Sequence, residues 1–154
     1  MLKYIILLIL IIPQVFSNDE PILSISDHPL FTKIFGLIDQ LLVQVRKMQS
    51  LIDRIHNVIN QVPVNLRPYL SECFTATHNT TSIEYSSKLH EAEAVRIPQI
   101  RDQLKQAITL EEQLNVMNTT DRVIADVTLN VIKPSLDFVN EVLDCFKNKY
   151  QLTI

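Results

Sequence analysis

Between Phe31 and Val62 the apolar residues recur at alternating spacings of three and four: Phe31, Ile34, Ile38, Leu41, Val45, Met48, Ile52, Ile55, Ile59 and Val62. Only an α-helix gathers such positions onto one face, and this regularity is that of a helix packed at bundle or coiled-coil angles. Leu30, Leu37, Leu51 and Val58 widen the stripe on one side, and Phe35 and Leu42 on the other. A face this broad exceeds the seam of a two-stranded zipper and suits a globular bundle. The opposite face carries Lys33, Asp39, Arg46, Lys47, Asp53, Arg54 and Asn57, with Val43 as its lone apolar member.

Pro63 and Pro68 end this pattern, and Asn65 is placed to cap a short helix carrying Leu66, Tyr69, Leu70, Cys73 and Phe74. Residues 75–81, TATHNTT, read as a polar loop, and Thr81 with Glu84 forms a capping-box signature for the next helix. That helix uses Ile83, Leu89, Ala92, Val95, Ile97, Ile100, Leu104, Ala107, Ile108, Leu110, Leu114 and Met117, with a kink or break expected at Pro98. Asn118-Thr119-Thr120 reads as the second turn. Beyond it Leu129, Ile132, Leu136, Val139, Leu143, Phe146 and Tyr150 restore the alternation of three and four, with a bend expected at Pro134.

The fold class these patterns imply is all-α. Gly36 is the only glycine, Trp is absent, and Leu, Ile, Gln, Lys and Glu are plentiful, a balance that favours helix over sheet. Three helices of about 35, 36 and 29 residues with short connections must run up, down and up, as an elongated antiparallel three-helix bundle roughly 45 to 55 Å long. A break at Pro98 that let both halves pack would make it four-helical.

Residues 1–17, MLKYIILLILIIPQVFS, hold one lysine, an apolar run over 4–12 and a compact Val15-Phe16-Ser17 end. The run is shorter than the roughly 20 residues that span a bilayer and matches the roughly 7 to 15 of a signal-peptide core. We read 1–17 as a cleaved leader and 18–154 as a single helical domain, secreted, with no stable membrane span. Cys73 and Cys145 are the only cysteines. In a secreted chain such a pair is expected to be a disulfide, and the up-down-up path brings both to the same end of the bundle. Asn79-Thr80-Thr81 and Asn118-Thr119-Thr120 are N-glycosylation sequons at opposite ends of the predicted rod.

Chemistry-bearing patterns are otherwise sparse. His28, His56, His78 and His90 have no zinc-type spacing, Glu91 and Glu93 or Glu111 and Glu112 point in different directions on a helix, and one glycine cannot build a phosphate loop. No catalytic residue, cofactor or metal ligand is assigned, and an enzyme is the least favoured class. The formal charge of −3, one unit more negative once Lys3 leaves with the leader, argues against nucleic acid or an anionic membrane surface as partner. The function expected is binding of an extracellular protein through an exposed helix face. The alternative is carriage of a lipid or other hydrophobic small molecule by the broad stripe around Leu30, Phe35, Leu37 and Leu42.

Overall fold

The structure, a computed structural model, describes residues 29–150. The expected leader over 1–17 and the expected lead-in over 18–28 lie outside the described residues, as do the side chains of Pro29, Leu30 and Tyr150. Helices α1 (Pro29–Gln61), α2 (Arg67–Leu70), α3 (Ala76–Glu91), α4 (Ile97–Gln106), α5 (Leu110–Asp126) and α6 (Lys133–Tyr150) succeed one another along the chain. Wider π-helical turns join α3 to α4 over Ala92–Arg96 and α5 to α6 over Val127–Ile132. The described residues therefore make three long rods and one single-turn helix, and no strand occurs among them.

Cross-rod pairs fix the directions. Arg46 meets Glu93, Asp39 meets Arg101 and His56 meets Ser82, so α1 runs antiparallel to the second rod. Arg96 meets Asp126, Tyr85 meets Phe138 and His78 meets Glu141, so the third rod runs antiparallel to the second and climbs alongside α1. The up-down-up order read from the sequence is the one observed. The Cys73–Cys145 disulfide forms with Cα atoms 5.5 Å apart.

The α1 stripe fills the core as expected. Phe31, Ile34, Ile38, Leu41, Val45, Met48, Ile52 and Ile55 are buried, while Ile59 and Val62 are half-buried against them. Leu89, Ile97, Ile100 and Leu104 from the second rod and Met117, Ile124, Val127, Phe138, Val142 and Phe146 from the third close the interior.

Both expected turns are displaced. Only Thr75 of TATHNTT stands outside helix; its hydroxyl accepts the His78 N–H at 3.2 Å while His78 Nδ1 accepts the Thr75 N–H at 3.0 Å. This box caps α3 six residues before Thr81, so Thr81 and Glu84 lie inside the helix. Asn118-Thr119-Thr120 also lies within a helix, α5. Thr119 and Thr120 return their hydroxyl protons to the carbonyls of Asn115 and Val116 four residues back, which lets them stay helical. The connection lies at 107–109, where Ala107 turns to extended backbone and Thr109 with Glu112 forms the capping box of α5. The short helix likewise starts after Leu66, without a cap from Asn65.

Neither proline breaks a rod. At the end of each π turn the backbone bonds to the carbonyl five residues back, Ile97 to Ala92 and Lys133 to Thr128. Pro98 and Pro134 come immediately after, at the second position of α4 and α6. An α-helix would place the proline ring against the carbonyl four residues earlier. The extra residue of the π turn widens the backbone where that clash would fall, so the rod continues and the three-rod architecture holds.

The third rod also turns a different face inward. Leu129 and Leu136 are exposed, and the buried line runs through Val131, Ser135, Phe138, Val142 and Phe146 with Ile132 and Val139 beside it. Ser135 occupies a core position because its hydroxyl donates to the Val131 carbonyl and needs no other partner. Ile83, Val95 and Ile108, expected inside, are exposed.

Candidate interaction surface

The connection between α1 and α3 lies at the disulfide-bonded end of the bundle. Pro63 and Pro68 cannot continue a helix through their own nitrogens, so the chain leaves α1 and folds into a compact turn with Leu66 N–H donating to the Pro63 carbonyl at 2.9 Å. Arg67 reaches back across it. Its Nε donates to the Val62 carbonyl at 3.2 Å and its Nη2 to the Asn60 carbonyl at 3.4 Å, covering acceptors left open at the end of α1.

Leu70 and Cys73 are the inward anchors, both buried. With them fixed, the apolar residues that precede Leu70 in the connection face solvent: Val64 is 73%, Leu66 46% and Tyr69 66% exposed. Three large apolar side chains thus stand outward on a short segment that is held at both ends. The Cys73–Cys145 bond ties it to α6, and the Glu72 carboxylate pairs with Lys149 of the same helix. That hydrogen bond and the lysine charge hold the Glu72 carboxyl below the usual carboxylate range.

Behind this segment a line of rings joins all three rods. His56 of α1 stands edge-on to Phe74 at 5.9 Å, Phe74 stacks on His78 of α3 at 6.2 Å, and Phe138 of α6 lies 6.1 Å from His78 and 5.8 Å from Tyr85. Because His78 Nδ1 accepts the Thr75 N–H, its Nε2 carries the proton directed at Glu141, 3.3 Å away. The buried Ser82 hydroxyl donates to the Asn79 carbonyl at 2.8 Å, which leaves its oxygen to accept from His56 Nε2 at 3.0 Å. His56 and Ser82 are thus a structural link in which the serine proton is committed to a backbone carbonyl, and the pair does not form an activated nucleophile. Sequence spacing holds no hint of it, since the two residues meet only across rods.

Asn79 is exposed in the first turns of α3 beside this end, and Asn118 is exposed on α5 toward the opposite end. The two sequons therefore occupy opposite ends, as expected, but on helix surfaces. His90 is exposed and His28 lies outside the described residues. Among the described residues no three His, Cys, Asp or Glu side chains stand together as a metal site, and no helix is long and apolar enough to cross a membrane. Phe35, Leu37 and Leu42 are half-buried and packed against the core. Comparison with protein-family models, with curated proteins and with solved structures finds no match to this chain.

Proposed function

We propose that this chain is a secreted, N-glycosylated, non-catalytic helical module that binds an extracellular protein through the disulfide-held segment around Val64, Leu66 and Tyr69. The observation that carries the reading is the exposure of these three side chains on backbone fixed by Cys73, Arg67 and Glu72. An apolar segment that is already ordered gives up little conformational freedom on binding, and tyrosine is among the residues that contribute most at protein interfaces. The disulfide and the leader-like pattern of residues 1–17 support an oxidising, extracellular setting. The packing of Phe35, Leu37 and Leu42 against the core gives a hydrophobic-ligand carrier second place.

The test joins secretion and contact. Expression of the full chain in secretory cells should release a protein whose first residue is Asn18. A photo-crosslinker placed at Tyr69 should then form a saturable adduct with one extracellular protein, and the same probe at exposed Val43 should not. Val64→Ser with Leu66→Ser should abolish the Tyr69 adduct without changing the melting temperature. An adduct indifferent to those substitutions, or equal labelling from both positions, would remove this surface from the account.

A further inference from the structure

At the end of the bundle opposite the disulfide, a shallow groove of about 360 Å³ runs between α4 and α5, bordered by Gln103, Gln106, Ala107, Asn115, Val116 and Thr119. Its floor includes buried Ala107 and half-buried Val116. Its walls are neutral amides. The side chains of Gln103, Gln106 and Asn115 make no hydrogen bond among the described residues, so their donors and acceptors are open to a ligand. Glu112 also borders the groove, yet its carboxylate is engaged at 2.9 Å by the Ile108 N–H and at 3.1 Å by the Thr109 N–H. A surface with a small apolar floor, amide walls and no cation among its lining residues suits a polyhydroxylated, uncharged ring better than an anion or an extended apolar chain.

We propose that this groove is the seat of an N-linked glycan carried on Asn118, with its first N-acetylglucosamine units lying along the amide walls. Asn118 is exposed, adjoins Thr119 in the chain and stands one helical turn from Asn115, which puts their Cβ atoms about 5–6 Å apart. Helical side chains lean toward the helix N-terminus, so a group on Asn118 is directed over Asn115 toward the 107–109 turn, where the groove lies. The groove is too open to hold a free sugar tightly. A covalent tether changes this, since attachment presents the sugar at an effective concentration in the millimolar range and weak amide contacts then suffice. The hydroxyl residue of the sequon, Thr120, is buried with its hydroxyl bonded to the Val116 carbonyl, an arrangement that requires glycan addition to Asn118 before the bundle closes.

The inference rests on the secreted reading, and the experiment separates the two. The full chain is placed behind an independent secretory leader, alongside the chain with its own first 17 residues, so failure of the native leader appears only in the second sample. Glycopeptide mapping should find Asn118 occupied. Under native conditions, enzymatic release of that glycan should run about tenfold slower than from the folded Gln103→Ala/Gln106→Ala variant, the factor that one or two net hydrogen bonds supply. The two proteins should lose it at the same rate once reduced and denatured. An unoccupied Asn118 in secreted protein overturns the proposal. So does native release that the two alanines leave unchanged.

Discussion

Replacing both cysteines by alanine, or reducing the wild-type bond, should lower the stability of the bundle by an amount set mainly by chain entropy. Cys73 and Cys145 are separated by 72 residues. For a closed loop of that length the chain-entropy relation gives about 4 kcal/mol at 25 °C. In a domain this size each kcal/mol moves the midpoint by roughly 4 °C, so the expected fall is about 15 °C. Cys73 is buried, so the alanine variant, which loses both sulfur atoms, also carries a small packing loss, whereas reduction removes no heavy atom. Thermal unfolding followed by circular dichroism, run on oxidised, reduced and alanine forms, separates the two contributions. Amide exchange adds the local readout. Cys73 and Phe74 N–H groups, which donate to the Leu70 carbonyl at 3.0 and 2.9 Å, should lose protection first, while amides in the middle of α1 keep theirs up to global unfolding. A fall of less than about 3 °C in both reduced and alanine forms would refute the reasoning, since it would mean that the unfolded chain is scarcely constrained by the bond.

Thr109→Ala should cost about 1 kcal/mol by opening the capping box of α5, whereas Thr81→Ala should cost under about 0.5 kcal/mol; chemical denaturation of the two variants checks the ranking. Asp121 has a buried carboxylate oxygen without a partner, and desolvation raises its pKa. Asp121→Asn should therefore stabilise the protein at neutral pH by roughly 1 kcal/mol, and the gain should vanish as pH falls from the raised folded value to the ordinary aspartate value, where wild type is neutral too. Asp126 behaves oppositely. Its pKa is lowered first by the Asn130 hydrogen bond and then by Arg96, so its contribution is present above the ordinary aspartate value and is lost as pH falls through the depressed one. Asp126→Asn should accordingly destabilise at neutral pH and converge with wild type in acid, as followed by melting across a pH series. Pro98→Ala should leave the π turn in place and yield an amide at position 98 that exchanges rapidly; strong protection there would show that the rod had reverted to an ordinary α-helical register.

The candidate surface is only partly legible in the sequence. The cysteine pair, the up-down-up path and the placement of the sequons at opposite ends emerge from counting and periodicity, and the structure repeats them. The outward set of Val64, Leu66 and Tyr69 does not, because a stretch interrupted by Pro63 and Pro68 has no period from which to read a face. Inwardness there is decided by Leu70 and Cys73, and the latter depends on a partner 72 residues away. The turn positions escape the sequence for a related reason. Asn-Thr-Thr looks like loop wherever it occurs, yet Thr119 and Thr120 satisfy themselves on carbonyls of their own helix, while the cap at Thr75 uses a histidine where the usual signature has Glu or Gln.

The interior of the third rod shows what apolar periodicity omits. An apolar stripe marks a core face only if polar residues stay outside, and here Gln113, Thr120 and Ser135 are buried on the same rod. Thr120 and Ser135 enter the core because each hydroxyl is bonded within its own helix, so burial leaves no donor unpaired. Counting Ser135 as a surface residue moves the apparent stripe onto Leu136 and away from Phe138 and Val142. The π turn over Val127–Ile132 adds to the displacement, since each extra residue in a turn rotates the downstream helix relative to the upstream one. Sequence periodicity assumes one phase per helix. In this rod the phase changes just before Pro134, so α5 and α6 each obey the helical rule but share no single stripe. The regular α1, with neither internal proline nor π turn, is the element that the pattern describes correctly along its length.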